Sequence, residues 1–444
     1  MKQFRAIVFL ATCLFMCSHA APAQWDPANG QWGKEEPTDL RIMTWNVFAG
    51  ICSTNAKQEG QNNWTALARI IAVIKPDILI LQETGDNVGN GTGAFSDSAS
   101  AVEATVQLLI SGGPDVFFPG QEVTAFVQKY APDFDMPYVF ASTVSDGFNR
   151  NTIVSRYPFA DLNGDGRALY SNFSVQTDAY APGGTGGIRG FQFAEIDLPD
   201  DIYAGDLVVA NAHLKAFGDA SSMAQRLTAA QNTTYFIDYF YNGAGTGMPD
   251  PNGKVNISPP ATTILDENTP IIWGGDWNED EATNGRRGPA AWMTEAEFPG
   301  GMDGTDRDRT DSMFDDARDF FGNSRATFGS NTKLDYIAWQ DSIAELRRHF
   351  IFRTNNIPGA SLPPELASFN GFPQLLGGLA SDHRPVVADF ILPLAPDPVE
   401  CPWDLTGDGS VGSADLGALL GQWGSPYGSA ELAALLGSWG PCEE

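Results

Sequence analysis

The stretch Trp273-Gly-Gly-Asp276-Trp-Asn278-Glu-Asp280 decides how the rest of the chain is interpreted. The apolar run that precedes it, from Pro270 to Trp273, is typical of a buried strand. Two glycines then permit a sharp turn and a close approach of the backbone to other groups. Because side chains two apart share a face of an extended segment, Asp276 and Asn278 are predicted to point together from a strand end. Taken alone, the stretch is equally compatible with a polar turn after a core strand.

The same arrangement recurs along the chain. A carboxylate at a strand end can hold a metal or polarise water, and an amide or imidazole can stabilise a developing charge. Sites are commonly built in this way by loops on a rigid scaffold. The further apolar runs that end in such residues are Met43-Thr-Trp-Asn46, Leu81-Gln-Glu83, Ala210-Asn-Ala-His213, Leu334-Asp335-Tyr-Ile and Ser381-Asp382-His383.

Histidine is scarce, which gives weight to its positions. The chain has four histidines, and after His19 only His213, His349 and His383 follow. Two of these three lie in the recurring segments. His349, in Arg-Arg-His-Phe, has no acidic neighbour in the sequence and is interpreted as structural.

The composition excludes some classes of function. The 444 residues include 26 Lys and Arg against 55 Asp and Glu, so the net charge is −29. This excess of acid disfavours broad electrostatic binding to nucleic acid or to anionic membranes. It does not exclude a phosphate substrate, because bound cations can invert the local field. A hydrophobic content of 43% supports a sizeable core.

The first 23 residues are predicted to be a secretory signal peptide. Lys2 and Arg5 precede the apolar residues 6–17, and Ala21-Pro-Ala23 provides a small-x-small cleavage site. We therefore expect a secreted protein, extracellular or periplasmic, without a transmembrane segment. Export permits disulfides, and Cys401 and Cys442 bracket the C-terminal module as the expected pair. Cys52 would remain free, buried and inert.

Strand and helix patterns alternate through most of the chain. Asn63 is predicted to cap a helix that Pro76 ends, and further helices are predicted over 99–110 and 222–241. Together the patterns favour two packed, mixed sheets with helices outside. The predicted strands cover residues 40–47, 77–83, 138–144, 152–156, 191–198, 207–212, 334–339 and 386–392.

A short acidic loop interrupts this pattern. Asp161-Leu-Asn-Gly-Asp-Gly166 resembles the beginning of a calcium-binding loop. Its twelfth position is Asn172 rather than an acid, so the segment is interpreted as a plain turn.

Taken together and in order, these segments resemble the endonuclease/exonuclease/phosphatase superfamily over residues 38–394. The resemblance implies a four-layer α/β/β/α sandwich and a divalent metal, Mg²⁺ or Mn²⁺. It implies hydrolysis of phosphate esters, with a phosphodiester of nucleic acid as the leading substrate. A lipid phosphodiesterase of the sphingomyelinase kind and a phosphomonoesterase are the alternatives. The segments that carry the resemblance are Trp45-Asn46, Gln82-Glu83, Asn211-Ala-His213-Leu, Gly275-Asp276-Trp-Asn278, Leu334-Asp335-Tyr-Ile and Ser381-Asp382-His383-Arg-Pro-Val.

The resemblance also implies roles for individual residues. Asp335 would orient His383, and Asp276 would orient or deprotonate the attacking water. Asn278 and His213 would stabilise the developing charge or protonate the leaving oxygen, and which histidine is acid and which is base stays open. The implied metal ligands are Glu83, Asn46 and Asp382, and the implied phosphate ligands are Arg189, Asn151 and Arg150.

A Pro-rich linker, 395–400, leads to a small module over 401–444. Its loop has oxygen-bearing side chains at positions 1, 3, 5, 7 and 12, and glycine at position 6, as in a calcium loop. The module resembles a dockerin type I repeat, which would give it a cohesin-like or cell-surface partner. A second Leu-rich segment lacks such a loop, so one Ca²⁺ is expected. The loop residues are Asp404, Thr406, Asp408, Ser410 and Asp415.

A function of another class remains open as well. The chain could be a non-catalytic binding or adhesion protein displayed through its tail. The intact set of acids and histidines argues against this alternative, because loss of function would remove some of them. We expect a monomer in either case.

Overall fold

The structure is a computed structural model. It describes residues 25–48, 51–52, 57–85, 97–115, 118, 120–144, 149–171, 192–242, 253, 255, 257–294, 311–396 and 401–442. The chain divides into two compact units, one of Met1–Pro199 with Gly205–Pro393 and one of Asp200–Ala204 with Leu394–Glu444. The predicted signal peptide lies outside the described residues.

The strands and helices are numbered here in chain order. The strands are β1 (Trp25–Asp26), β2 (Gln31–Trp32), β3 (Leu40–Asn46), β4 (Ile78–Gly85), β5 (Gly113–Pro114), β6 (Glu122–Val123), β7 (Tyr138–Ala141), β8 (Arg150–Ser155), β9 (Leu169–Ser171), β10 (Gln192–Ile196), β11 (Leu207–His213), β12 (Ile271–Asp276), β13 (Ser312–Phe314), β14 (Asp335–Gln340), β15 (Glu345–Ile351), β16 (Val386–Ile391), β17 (Ser410–Val411) and β18 (Gly440–Pro441). The helices are α1 (Asn63–Ile74), α2 (Ala99–Ser111), α3 (Phe126–Tyr130), α4 (Ala220–Phe236), α5 (Pro289–Thr294), α6 (Pro364–Ala367), α7 (Leu376–Ala380), α8 (Ser413–Gly421) and α9 (Ser429–Gly437).

Two six-stranded sheets form the larger unit within the described residues. One has the strand order β15-β16-β3-β4-β8-β7 and the other the order β13-β14-β12-β11-β10-β9. In the first sheet β3 and β4 are parallel, and in the second β11 and β12 are parallel, whereas their other neighbours are antiparallel. The prediction of two mixed sheets is therefore confirmed.

Each sheet buries one face under helices. In the first sheet, Met43 and Leu79 belong to a buried apolar cluster with Leu67 and Ile71 of α1. In the second, Trp273 of β12 shares a cluster with Phe236 of α4 and other side chains of α4 and α5. Each Å² of apolar surface buried in these clusters stabilises the fold by about 25 cal/mol. The sheets thus form a rigid support for the loops at their edges.

The opposite faces of the sheets meet through a polar link. Asn211 of β11 is fully buried, and its Nδ2 donates to the main-chain oxygens of Leu81 at 2.8 Å and Thr152 at 3.1 Å. Its Oδ1 accepts from Gln82 Nε2 at 2.9 Å. Because buried polar groups are costly unless they are hydrogen-bonded, this network fixes the position of one sheet on the other. It lies two residues before His213.

The ends of the helices follow capping rules, with one correction. The predicted cap of α1, Asn63, is its first helical residue; the cap is Asn62, whose side chain accepts from the amide of Thr65 at 2.9 Å. Lys75 ends the helix with φ of 51° directly before Pro76. The helix predicted over 222–241 begins at Ala220 and continues beyond Phe236 as a π-helical turn, Ile237–Tyr241.

The smaller unit carries the disulfide. Cys401 and Cys442 are bonded, with their Cα atoms 5.7 Å apart. Helices α8 and α9 bury Leu419 and Leu435. A core this small covers only part of the apolar stripe of each helix. The side chains that stay about half exposed are Leu420, Trp423, Leu436 and Trp439.

None of the helices that the structure describes is long and apolar enough to cross a membrane.

Candidate active site

The strand ends predicted to carry chemistry meet at one place. His213, the last residue of β11, is paired with Asp276, the last residue of β12. Asp276 is in turn paired with Asp335, the first residue of β14. In the other sheet Asn46 ends β3 beside Gln82 of β4, so that Glu83 follows at the same edge. The two sheets therefore bring their functional side chains to a common edge.

The backbone is unusual where it presents these side chains. Glu83 and Asn278 have φ of 56° and 55°, a left-handed conformation that side chains other than glycine rarely adopt. The pairing of β4 with β8 is also irregular between Leu81 and Gly85. Such features re-aim a side chain and are concentrated at functional sites. Here they direct Glu83 away from the regular alternation of the strand.

Asn46 connects the two sheets within the site. Its Nδ2 donates to Glu83 Oε1 at 3.1 Å and to Asp276 Oδ2 at 2.9 Å. Its Oδ1 accepts from the amide of Phe48 at 3.0 Å. One carboxamide therefore holds two carboxylates, one from each sheet, and fixes their separation.

The predicted histidine–acid pair is formed. His383 Nδ1 lies 2.8 Å from Asp335 Oδ2, and both side chains are buried. The other ring nitrogen, Nε2, lies 3.7 Å from Asp276 Oδ2. His213 Nε2 is likewise 3.7 Å from Asp276 Oδ2, and 3.7 Å from Glu83 Oε1. The two imidazoles therefore approach the same carboxylate, that of Asp276.

Charge in the site is shared unevenly. Burial opposes the charged form of His383, but the carboxylates of Asp335 and Asp276 prevail and raise its pKa to about 10. Burial raises the pKa of Asp276, although His383 counteracts this effect. Burial also raises the pKa of Glu83, against the hydrogen bond from Asn46. The three carboxylates of Asp276, Asp335 and Glu83 thus outnumber the one imidazolium of His383. Such an excess of acidic groups is expected of a site that binds a cation.

Replacing Asp335 with Asn should lower the pKa of His383. The wild-type imidazolium has a pKa above the ordinary 6.5, so its stabilisation of the fold is fully present below about pH 6.5 and is lost as the pH rises towards 10. Removing the charge of Asp335 removes much of this effect. The measurement is an NMR titration of the His383 Cε1–H resonance in metal-free protein. An unchanged midpoint would contradict the pairing.

The residues present fit a divalent metal. Glu83 offers a carboxylate whose side chain is 17% exposed, so it can be reached from solvent. Asp335 Oδ1 is buried and has no hydrogen-bond partner. Single ligand atoms of Asp276, Asp335 and His383 lie within 4.8 Å of one another. Since His383 Nδ1 and Asp335 Oδ2 are already hydrogen-bonded to each other, the partly exposed carboxylate of Glu83 is the better metal ligand.

Other predicted site residues lie in different surroundings. Asn278 Nδ2 donates to the main-chain oxygen of Leu214 at 3.0 Å, which ties the loop after β12 to the end of β11. Asp382 is exposed. Arg150 donates to the main-chain oxygens of Asp97 at 2.6 Å and Ser142 at 2.8 Å. Their roles as oxyanion donor, metal ligand and phosphate ligand stay predictions.

The other two predicted phosphate ligands are Asn151 and Arg189. Asn151 is 2% exposed on β8. Arg189 lies outside the described residues.

Sequence reasoning missed several supporting residues. Ser381 Oγ donates to the main-chain oxygen of Asn46 at 2.6 Å and accepts from the amide of His383 at 3.0 Å. Thr327 Oγ1 accepts from the amide of Asp335 at 3.2 Å. The ring of Phe328 lies 4.9 Å from that of His383. Ser381 belongs to the predicted segment Ser381-Asp382-His383 and could have been assigned this supporting role, whereas Thr327 and Phe328 carry no signal in the sequence.

The structure gives His349 an acidic partner that its local sequence lacks. The histidine lies on β15, and its Nε2 is 3.0 Å from Asp316 Oδ1. The acidic neighbour that the local sequence lacks is supplied by a distant loop.

The smaller unit contains a second acidic cluster. Single oxygen atoms of Asp404, Asp408 and Asp415 lie within 4.8 Å of one another. Asp415 Oδ1 accepts from the amide and the hydroxyl of Thr406 at 2.9 and 2.8 Å. Hydrogen bonds from Gly412 and Thr406 lower the pKa of Asp415 to about 2, so this carboxylate stays charged at neutral pH.

Comparisons with known proteins give structural similarities only. No protein-family model matches the chain. No curated protein matches it either. The solved structures that it resembles include several endonuclease/exonuclease/phosphatase proteins of bacteria.

Three examples show the extent of this likeness. Humanised D. rerio TDP2 has a TM-score of 0.40 at 13% sequence identity, covering 80% of this chain and 99% of that one. The catalytic domain of human Nocturnin with bound sulfate gives 0.42 at 13%, covering 80% and 93%. The protein from Beutenbergia cavernae gives 0.38 at 17%, covering 81% and 73%. These scores are low, so any functional inference depends on the geometry of this chain itself.

Proposed function

We propose that this protein is a secreted, divalent-metal-dependent phosphoesterase of the endonuclease/exonuclease/phosphatase superfamily, with the four-layer α/β/β/α sandwich of that family. Its substrate is a phosphodiester, with nucleic acid favoured. The observation that carries the proposal is the convergence of two imidazoles, Asp276 and Glu83 at the common edge of two sheets. Attack on a phosphodiester needs an oriented water, neutralised phosphate oxygens and a protonated leaving group. The site supplies a residue for each need.

The contacts support a role for each residue. Asp276 is buried between the two Nε2 atoms, so it is placed to orient a water and to accept its proton. His383, whose pKa is raised to about 10, carries a proton at neutral pH and donates it in a hydrogen bond to a phosphate oxygen. His213 protonates the leaving oxygen. Asn46 and Asp335 hold these groups in place.

A metal ion complements this set. Glu83 would hold Mg²⁺ or Mn²⁺, with Asn46 and Asp382 beside it, and the ion would neutralise charge on the phosphate oxygens. Glu83 interacts electrostatically with Asp276 and Asp382, and both raise its pKa. A bound cation would stabilise the charged form of these neighbouring carboxylates.

Exposed phenylalanines favour a substrate with a flat or apolar group. Phe48 is 61% exposed two residues after Asn46, and Phe217 is 73% exposed four residues after His213. Phe328 is 38% exposed against the ring of His383. Aromatic rings beside a phosphate site can stack on nucleic-acid bases, at about 1–3 kcal/mol per base. A sphingomyelinase-like activity is the second candidate, since the same rings could enter a lipid layer.

One panel of assays tests the proposal. The purified protein is incubated with plasmid DNA, single-stranded DNA, RNA, sphingomyelin vesicles, a chromogenic phosphodiester and a phosphomonoester, each with magnesium, manganese, calcium or chelator. We expect metal-dependent cleavage of nucleic acid. Cleavage of sphingomyelin alone would favour the lipid enzyme. Absence of hydrolysis with every metal would favour the non-catalytic, displayed protein.

Replacing Glu83 with Gln should raise the magnesium concentration needed for half-maximal activity about tenfold or more, because the change removes a charged hard ligand. The measurement is a magnesium titration of phosphodiester hydrolysis. Glu345→Gln, at the exposed start of β15, is the matched control and should leave the titration unchanged. An unaltered magnesium requirement in Glu83→Gln would place the metal elsewhere.

The proposal extends to the tail. The oxygen cluster of Asp404, Asp408 and Asp415 supports a single Ca²⁺ in a dockerin-like module. The half-exposed apolar side chains on and just after α8 and α9 support a protein partner of cohesin-like or cell-surface type. Calcium and the disulfide would together stabilise a unit too small to rely on its core.

A further inference from the structure

The acidic loop at Asp161 is more than a plain turn. The carboxylate of Asp161 accepts three main-chain N–H groups, from Gly164 at 2.8 Å, Asp165 at 3.2 Å and Gly166 at 2.8 Å. Gly164 and Gly166 have φ of 74° and 81°. The loop is therefore wound around its first acid.

The calcium loop expected in the tail has the same conformation. Asp404 accepts from Gly407 at 2.7 Å, Asp408 at 3.1 Å and Gly409 at 2.8 Å. The two glycines have φ of 74° and 80°. Two loops of related sequence in different units thus share one backbone arrangement, but conformation alone does not make a metal site.

The missing twelfth ligand is supplied from another strand. The main chain of Glu195 on β10 bonds to both sides of the loop: its oxygen accepts from Ala160 at 3.2 Å and its amide donates to Ala168 at 2.8 Å. Its carboxylate accepts from the amide of Leu162 at 2.6 Å and from Asn163 Nδ2 at 3.1 Å. In the tail, Asp415 accepts from Thr406 in a comparable way. Glu195 therefore occupies the place that the acid at position twelve would fill.

The negative charge of this cluster is not compensated. Glu195 and Asp165 are 0% and 1% exposed, and Asp165 Oδ2 has no hydrogen-bond partner. Among the described residues no Lys or Arg forms an ion pair with Asp161, Asp165 or Glu195. Burial raises the pKa of Glu195 to about 7, and the charges of Asp165 and Asp161 add to the effect.

Two other buried carboxylates of this chain are paired with basic side chains. Asp389 accepts two hydrogen bonds from Arg41, at 2.6 and 2.8 Å. Asp315 lies 2.7 Å from Lys333 Nζ. Buried charges are costly unless they are paired or coordinate a metal. Asp161, Asp165 and Glu195 have no such partner among the described residues, so a bound cation would compensate their charge.

We propose that Asp161, Asn163, Asp165 and Glu195 form a structural Ca²⁺ site in the larger unit, with the main-chain oxygen of Arg167 at the seventh loop position. The donors are hard oxygens, and the exposed Asp161 leaves the site open to solvent. The three carboxylates are not among the groups whose ligand atoms all lie within 4.8 Å of one another. Binding of the ion would bring them together and fasten the loop between β8 and β9 to β10.

Calcium binding is measured on the full-length chain in which the tail site is removed by Asp408→Asn. Equilibrium dialysis with radioactive calcium is carried out in excess magnesium, because Mg²⁺ suits an octahedral catalytic site and fits a calcium loop poorly. We expect one bound Ca²⁺ per chain, and a higher melting temperature in calcium than in magnesium alone. Absence of both would overturn the proposal.

Further variants in the same background locate the ion. Asp165→Asn and the isosteric Glu195→Gln should each abolish the remaining calcium equivalent, whereas Glu83→Gln, in the catalytic site, should retain it. Melting curves in magnesium alone show whether the variants are folded. Full calcium binding in folded Asp165→Asn and Glu195→Gln proteins would overturn the assignment. The outcome does not depend on hydrolysis, so the catalytic proposal can fail separately.

Discussion

Replacing His383 with Ala is expected to lower the turnover of a phosphodiester by about 10³-fold or more, with a similar loss for His213→Ala. The removed groups are the two imidazoles whose Nε2 atoms lie 3.7 Å from Asp276. Without His383 the site loses its one positive charge held by Asp335, and without His213 it loses the proton donor to the leaving oxygen. The measurement is kcat with a chromogenic phosphodiester at saturating magnesium.

The control for these variants is the third histidine of the larger unit. His349→Ala removes an imidazole of the same kind from β15, where its partner is the exposed Asp316. We expect wild-type kcat for this variant, and thermal melting within a few degrees of wild type for all three. Activity within tenfold of wild type in folded His383→Ala or His213→Ala would refute the proposed roles.

The members of the candidate site could be predicted because of how strands end. Asn46, Glu83, His213 and Asp276 each follow an apolar run, and the ends of parallel strands lie at the same edge of a sheet. The local sequence pattern therefore predicts which residues belong to the site. It could not give their contacts: the two hydrogen bonds by which Asn46 joins Glu83 to Asp276 depend on the packing of one sheet on the other.

The sequence pattern did not predict strands whose stabilising partners are distant in the sequence. Strand β15 has the sequence Glu-Leu-Arg-Arg-His-Phe-Ile, whose adjacent charges hide the alternation of a strand. Its Arg347 bonds to Asp39 at 2.8 Å, and Arg348 lies 3.5 Å from Asp389. It is an edge strand with a bulge, where charged side chains are common.

The segment before β3 shows the same limitation. Residues 24–37 have no apolar periodicity, a pattern that predicts an irregular segment. Instead β1 and β2 pair, and Trp25 and Trp32 lie against Phe350 of β15 with ring centroids 4.9 and 5.3 Å apart. Glu195 is a further case, because nothing in the Asp161 loop itself indicates that β10 would supply an acid. In each case the decisive partner is far away in sequence.

Gly275→Ala is expected to destabilise the fold by about 3 kcal/mol or more, since it combines backbone strain with overpacking. Gly275 has φ of 154°, which side chains rarely adopt, and an added Cβ would lie 1.9 Å from the main-chain oxygen of Ala212 on β11. No rotamer change can relieve a contact between two backbones. The two strands would have to separate, and Asp276 and His213 are the paired residues immediately beyond.

The neighbouring glycine provides the matched control. At Gly274 an added Cβ would meet the main-chain oxygen of Tyr336 at 3.2 Å and Thr44 Cβ at 3.3 Å, contacts that a small shift relieves. Gly274→Ala should therefore cost clearly less in urea unfolding, and Gly378→Ala, with open space around the added methyl, should cost least. If Gly275→Ala folds, kcat should fall with little change in the magnesium requirement, because Glu83 lies on the other sheet. Equal stability of the Gly275 and Gly274 variants would show that the close approach of β12 to β11 does not require glycine at position 275.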